Sequence, residues 1–191
     1  MIAARYGKTF DWSIKSKIIG LKAEDSARIC VTTMGIPLTV PEYLEARKAK
    51  LEELFPKSEP LPGALHLTRW FAGLGVPQAV ATSAERHHFN LKVSRHREWY
   101  ALFNCIVTGD DPEVGRGKPA PDIFLVAAGR MQADPERCLV FEDSPAGIAA
   151  ARAAGMYAVA VPDPRMDHGA YRDAHEILCS LEDFDPSRWG F

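Results

Sequence analysis

The sequence predicts an α/β protein, a parallel sheet covered by helices and preceded by a small all-helical region. Three observations carry this. From residue 61 onward short apolar runs alternate with helical patterns, as in chains that build parallel sheets. The runs are apolar at consecutive positions, as strands buried on both faces require. A proline-rich break, Pro56-Lys57-Ser58-Glu59-Pro60-Leu61-Pro62-Gly63, separates the alternation from residues 1–60, which carry helical patterns and no strand.

In the first region Ile14, Ile18, Ile19 and Leu21 have the spacing of one apolar helix face. Residues 23–31 form a second helix that ends near Gly35. Pro41 opens a third, with Tyr43, Leu44, Leu51, Leu54 and Phe55 on its apolar side. Glu42, Glu45, Arg47, Lys48 and Lys50 give that helix a solvated face. After the break the expected order is helix 64–73, strand 76–81, one long helix 84–102, strand 105–108 and helix 122–131. Strand 138–141, helix 145–154, strand 157–161 and a short strand 176–179 follow.

Composition excludes several classes. With 191 residues, 47% hydrophobic and 25% charged, the chain is an ordinary globular one, long enough to bury roughly 70% of its unfolded surface. Lys and Arg total 23 against 25 Asp and Glu, a net charge of −2, which argues against a nucleic-acid partner. No apolar stretch approaches the ~20 residues of a membrane span. The first residues lack the apolar core of a secretory signal, so the cytoplasm is the expected compartment. Cys30, Cys105, Cys138 and Cys179 form no C-x-x-C or zinc spacing. They read as buried, reduced thiols, Cys105 and Cys138 within strands.

In an open parallel sheet, ligands bind beyond the carboxyl ends of the strands. Thr82 and Ser83 follow the first apolar run, and hydroxyls with free N–H groups at a helix start suit an anion. The second run leads through Gly109-Asp110-Asp111 to Gly117-Lys118-Pro119. The third is followed by Glu142-Asp143-Ser144-Pro145. Two adjacent carboxylates repel unless a cation or donors offset them, and such oxygen ligands suit Mg²⁺. Together these residues describe a Mg²⁺-assisted phosphoryl site: Thr82 bonding a phosphoryl oxygen, Lys118 neutralising charge, Glu142 and Asp143 holding the metal. Taken singly, each has a plainer reading. Thr82 or Ser83 can cap a helix, Lys118 can be a solvated loop lysine, and Asp143 or Ser144 can cap the helix opened by Pro145.

The segments Ala81-Thr82-Ser83, Gly117-Lys118-Pro119-Ala120-Pro121-Asp122 and Phe141-Glu142-Asp143-Ser144-Pro145-Ala146-Gly147-Ile148 resemble the second, third and fourth motifs of haloacid dehalogenase-type hydrolases. The resemblance covers nearly the whole chain. It implies a doubly wound parallel sheet over 61–191, with residues 1–60 as part of a helical cap inserted after the first strand. It implies a Mg²⁺-dependent phosphomonoesterase acting on a small nucleoside- or sugar-phosphate such as pseudouridine 5′-phosphate. That family transfers the phosphoryl group to an Asp, and a second Asp two residues on serves as acid and base. Thr82, Ser83 and Lys118 carry over as phosphate-binding residues, with Lys118 also beside the nucleophile. Asp143 carries over as the direct metal ligand with Glu142 beside it, and Lys22 as a cap residue facing substrate. A sugar phosphomutase of the same superfamily would use the same residues. A non-catalytic phosphate-binding protein is the alternative from another class.

The family's first motif, Asp-x-Asp-Gly after a strand, does not occur in these 191 residues. Asp11 lies in Phe10-Asp11-Trp12-Ser13, with no strand before it and no second Asp at the right spacing. Asp110-Asp111 and Asp163 follow strands in other contexts. The resemblance therefore implies a sheet with two unpaired edges, a weakened metal site, and a chain that as written is poorly active and marginally stable. A shortened form of an active phosphatase fits this better than a non-catalytic relative. Arg86, His88 and Lys92 could reach a substrate from the helix after Thr82, or could equally lie on a solvated face. Trp12, Trp70, Trp99 and Trp189 read as packing anchors. Gly73-x-Gly75 precedes a strand and follows a helix, the reverse of a dinucleotide fingerprint.

Overall fold

The structure, a computed structural model, describes residues 2–191. Its first part is helical: α1 (Ile2–Arg5), α2 (Trp12–Ile18), α3 (Ala23–Met34) and α4 (Val40–Leu54). Each boundary has a local cause. Asp11 caps α2 by accepting from the Ser13 N–H at 2.9 Å. Gly35, with φ of 59°, ends α3 in the left-handed region. Thr39 and Glu42 form a reciprocal capping box at the start of α4. These helices bury a cluster of their own that includes Ile14, Cys30, Met34 and Tyr43. Leu54, expected on the apolar side of α4, is exposed.

The second part alternates as expected. It runs α5 (Ala64–Gly73), β1 (Ala79–Thr82), α6 (Arg86–Lys92), α7 (Arg97–Tyr100), β2 (Cys105–Thr108) and α8 (Asp122–Met131). Then come β3 (Leu139–Glu142), α9 (Pro145–Ala153), β4 (Tyr157–Ala160) and β5 (Glu176–Ile177). The long helix expected over 84–102 is two short ones. The chain turns at 93–96, where the Ser94 hydroxyl donates to the Leu91 carbonyl and the His96 ring meets the Ser58 carbonyl at 2.8 Å. Trp99 donates to the Thr68 hydroxyl at 2.6 Å. These tertiary bonds outweigh the local helical pattern. β1 starts at Ala79, later than expected, because Pro77 lacks an N–H and the Gln78 N–H is taken by the Asn104 side chain.

All strand pairs are parallel, but they form two sheets, β1-β2 and β3-β4-β5. Among the described residues no strand pairing joins β1 to β3. A cavity of about 850 Å³ runs along both facing edges, walled by residues such as Phe71, Val80, Phe124, Leu139 and Phe141. The two unpaired edges are those the family resemblance implies. One apolar cluster gathers around α8, α9 and Tyr171, another around Phe71, Val159 and Phe184. All four cysteines are free. Only Cys30 is buried, Cys105 and Cys138 are half-buried, and Cys179 is exposed, so the expectation of buried thiols holds for one. Among the described residues no helix is long and apolar enough to cross a membrane.

Candidate active site

Lys118 spans the gap between the two sheets at their carboxyl ends. Its ammonium donates to the Ala81 carbonyl of β1 at 3.1 Å and pairs closely with the Glu142 carboxylate at the end of β3. The two side chains are only 5% and 8% exposed. The ammonium also lies 4.8 Å from the centre of the Phe124 ring. The other Glu142 oxygen accepts from the Ser144 hydroxyl at 2.8 Å. An ion pair this dry persists only when its remaining donors and acceptors are met, and here Ala81 and Ser144 meet them.

The cap of α9 decides what Asp143 is free to do. Ser144, fully buried, accepts from the Gly147 N–H at 3.0 Å and is the capping residue. Asp143 therefore does not cap, and among the described residues no other one gives its carboxylate a hydrogen bond. Burial, and secondarily repulsion from Glu142, push the Asp143 pKa up, while Lys118 and Lys15 pull against that shift. Its backbone carbonyl is held by the Tyr171 hydroxyl at 2.7 Å. Tyr171 is itself fully buried, and burial with the nearby carboxylates pushes its hydroxyl up to about 12. The result is a fixed carboxylate whose ionised form is disfavoured where it stands.

Thr82 ends β1 on the wall of a cavity of about 620 Å³ that also exposes Ser83, Lys118, Glu142 and Asp143. Its hydroxyl oxygen accepts from the Ala84 N–H at 3.2 Å, which leaves the hydroxyl proton for a ligand. Ser83 donates to the Gly20 carbonyl at 2.7 Å and so fastens the β1 end to the segment after α2. Two glycines make these approaches possible. A Cβ at Gly147 would lie 2.0 Å from the Glu142 carboxylate. A Cβ at Gly20, where φ is 81°, would lie 2.1 Å from the Ser144 hydroxyl. Gly20→Ala combines left-handed strain with that clash and is expected to lower stability by about 2–3 kcal/mol. Gly7→Ala, at φ of 64° with nothing within 4 Å of the new atom, isolates the strain alone and is expected to cost about 1 kcal/mol. Denaturant melts of the two variants check the difference.

Lys22 stands apart from this wall. It precedes α3, and its aliphatic stem packs over Gly117, where a Cβ would lie 2.7 Å from its Cγ. Its neighbours Gly20, Leu21 and Ala23 line the cavity. Of the α6 candidates, His88 and Lys92 line it and Arg86 does not. Arg86 instead donates to the Ile106 carbonyl at 3.0 Å and, through its N–H, to Asp110. Lys15 of α2 and Arg47 of α4 also reach the wall. Sequence patterning offers no signal for those two, because it does not orient α2 and α4 over the sheet.

The remaining acids are engaged elsewhere. Asp111 and Glu113 share the Arg130 guanidinium. Asp163 pairs with Arg165 at 2.8 Å, which holds its pKa down at about 2, and Arg165 in turn stacks 4.0 Å over Trp12. Among the described residues no group of three or more His, Cys, Asp or Glu side chains comes together as a metal cluster. The strand ends thus offer one hydroxyl donor, one buried ammonium and one carboxylate short of positive charge around a common space.

Residues 33–155 match the haloacid dehalogenase-like hydrolase family. The chain is 47% identical over 194 residues to the Arabidopsis thaliana protein named (DL)-glycerol-3-phosphatase 1, mitochondrial. That match takes in 99% of this chain and 65% of the relative, so the chain spans less than two thirds of that protein's length. It is 45% identical over 193 residues to the Drosophila melanogaster protein named Probable pseudouridine-5′-phosphatase, with 100% of this chain and 84% of the relative covered. The crystal structure of β-phosphoglucomutase from Clostridium difficile superposes with a TM-score of 0.81 at 19% identity, over 98% of this chain and 83% of that one, a likeness of fold.

Proposed function

This chain belongs to the haloacid dehalogenase-like hydrolase family, and on that premise we propose that it carries the phosphate- and cation-holding part of a Mg²⁺-assisted phosphomonoesterase site. The substrates are small phosphorylated metabolites, nucleoside- or sugar-phosphates. Pseudouridine 5′-phosphate and glycerol 3-phosphate are the compounds in the names of its relatives. The observation that supports this most is Lys118, buried between the ends of β1 and β3 with Asp143 unengaged beside it.

In this reading Lys118 and the Thr82 hydroxyl hold the phosphoryl oxygens. Ser83 positions the end of β1 through Gly20. Glu142 orients Lys118, and Asp143 is the cation ligand. Mg²⁺ suits this donor set, because it takes one or two carboxylates and fills its other positions with water and phosphate oxygens. When bound, it neutralises charge on the phosphoryl group. The 191 residues contain no Asp-x-Asp-Gly. Phosphoryl transfer therefore needs a carboxylate that approaches Lys118 from the cleft between β1 and β3.

The test is a product assay on the protein as its own cells make it, with its intact mass measured alongside. Mg²⁺-dependent release of free phosphate from a panel of small phosphomonoesters is the expected result. A rearranged sugar phosphate with no free phosphate would establish a mutase instead. Ligand binding with neither product would establish a non-catalytic role. A polypeptide of these 191 residues alone is expected to bind phosphate and to release none from the same panel.

A further inference from the structure

The wall of the 620 Å³ cavity beyond the phosphate-holding residues is cationic. Lys15 comes from α2, Arg47 from α4 and Lys92 from α6, with His88 one turn before Lys92. Among the described residues no carboxylate lies within ion-pair distance of Lys15, Arg47 or Lys92. Their close neighbours are aromatic: Lys92 lies 4.7 Å from the centre of the Phe55 ring, and Arg47 lies 6.0 Å from that of Tyr43. Apart from Glu142 and Asp143 of the phosphate site, Glu85 is the carboxylate among the described residues that line this cavity, so beyond that site positive charge exceeds negative by two with His88 neutral.

This excess is built under cost. Lys92 is half-buried. Burial, and then repulsion from Lys15, push its ammonium pKa down, and Asp143 is the charge that offsets them. Lys15 acts on both Lys92 and Asp143, so the cluster lies within electrostatic reach of the Asp143 carboxylate. A half-buried ammonium, Lys92, held near the exposed Lys15 with no carboxylate in ion-pair contact is unfavourable unless an anion joins them.

We infer that Lys15, Lys92 and Arg47 form a second anion subsite in this cavity, and that the chain selects phosphomonoesters whose alcohol portion carries its own anionic group. The inference rests on the phosphate site proposed above and narrows its substrate class. The names of the two relatives mention esters without such a group.

The probe is a matched pair on one carbon skeleton, 3-phosphoglycerate against glycerol 3-phosphate, bound to the 191-residue chain in Mg²⁺ at low salt and measured by calorimetry. The carboxylate ester is expected to bind about tenfold more tightly, the value of roughly one well-placed charge pair. In Lys15→Met/Lys92→Met that ratio is expected to fall to about one, with a thermal melt confirming that the variant is folded. Fructose 1,6-bisphosphate against fructose 6-phosphate separates a phosphate-sized subsite from a carboxylate-sized one. Equal affinities for the members of both pairs, or ratios that survive the substitution, would overturn the subsite while leaving the phosphate site intact. A folded chain that binds neither the esters nor orthophosphate would overturn both.

Discussion

Lys118→Met is expected to destabilise the chain by about 3–5 kcal/mol, because removing one partner of a dry ion pair strands the other. Glu142 would remain only 8% exposed, with the Ser144 hydroxyl as its surviving partner. The Ala81 carbonyl would lose its donor, and with it the bond that ties the end of β1 to the end of β3. For a chain of this size the melting temperature should drop by roughly 6–20 °C. Lys118→Met/Glu142→Gln removes both charges and is expected to recover most of the stability, since replacing a whole buried pair is close to neutral. Phosphate binding should stay lost in both variants. A thermal melt of the two variants together with a phosphate titration separates the structural role of the pair from its role in binding. If the double variant melts as low as the single one, the stranded carboxylate is not the cause of the instability.

Asp143→Asn is expected to act in the opposite direction on stability. Burial and Glu142 hold the Asp143 pKa above its ordinary value of 3.8. Between that value and the raised one, the folded chain keeps a proton that the unfolded chain has released. Stability therefore falls as pH rises through that window, and the loss persists at neutral pH. The asparagine variant has no such proton to lose. It should melt higher than the native chain at pH 7 and level with it below about pH 4. The same substitution removes the carboxylate proposed to hold the cation, so Mg²⁺ affinity should fall at least about 100-fold, equivalent to ~2.7 kcal/mol. Mg²⁺ should raise the melting temperature of the native chain at pH 7 and leave the variant unmoved. A variant that melts lower at pH 7, or that keeps its Mg²⁺ response, would show that Asp143 is neither strained nor a ligand.

The parts of the site legible from sequence are those at strand ends. Thr82, Glu142 and Asp143 stand where apolar runs stop, and Lys118 lies in the glycine- and proline-marked loop after the second run; parallel strands bring such positions together. The choice between Asp143 and Ser144 as the cap of α9 was open from sequence, because both residue types cap helices well. The Ser144–Gly147 bond resolves it. The split of residues 84–102 into two helices depends on Ser58 and Thr68, whose chain separations from His96 and Trp99 are too long for any local pattern. Lys15 and Arg47 were invisible as site residues for a related reason: periodicity says which face of a helix is apolar, and not which cavity its other face overlooks. Resemblance alone points to Lys22, and its stem lies over Gly117, away from the cavity wall.

Orthophosphate binding followed by ³¹P NMR as Mg²⁺ is added, in the native chain and in Asp143→Asn, tests most directly whether Lys118, Thr82 and Asp143 form one cation-assisted phosphate site. The expected result is phosphate affinity that rises with Mg²⁺ in the native chain and does not respond in the variant. Phosphate binding of equal strength with and without Mg²⁺ in both proteins, or none in a folded native chain, would contradict it.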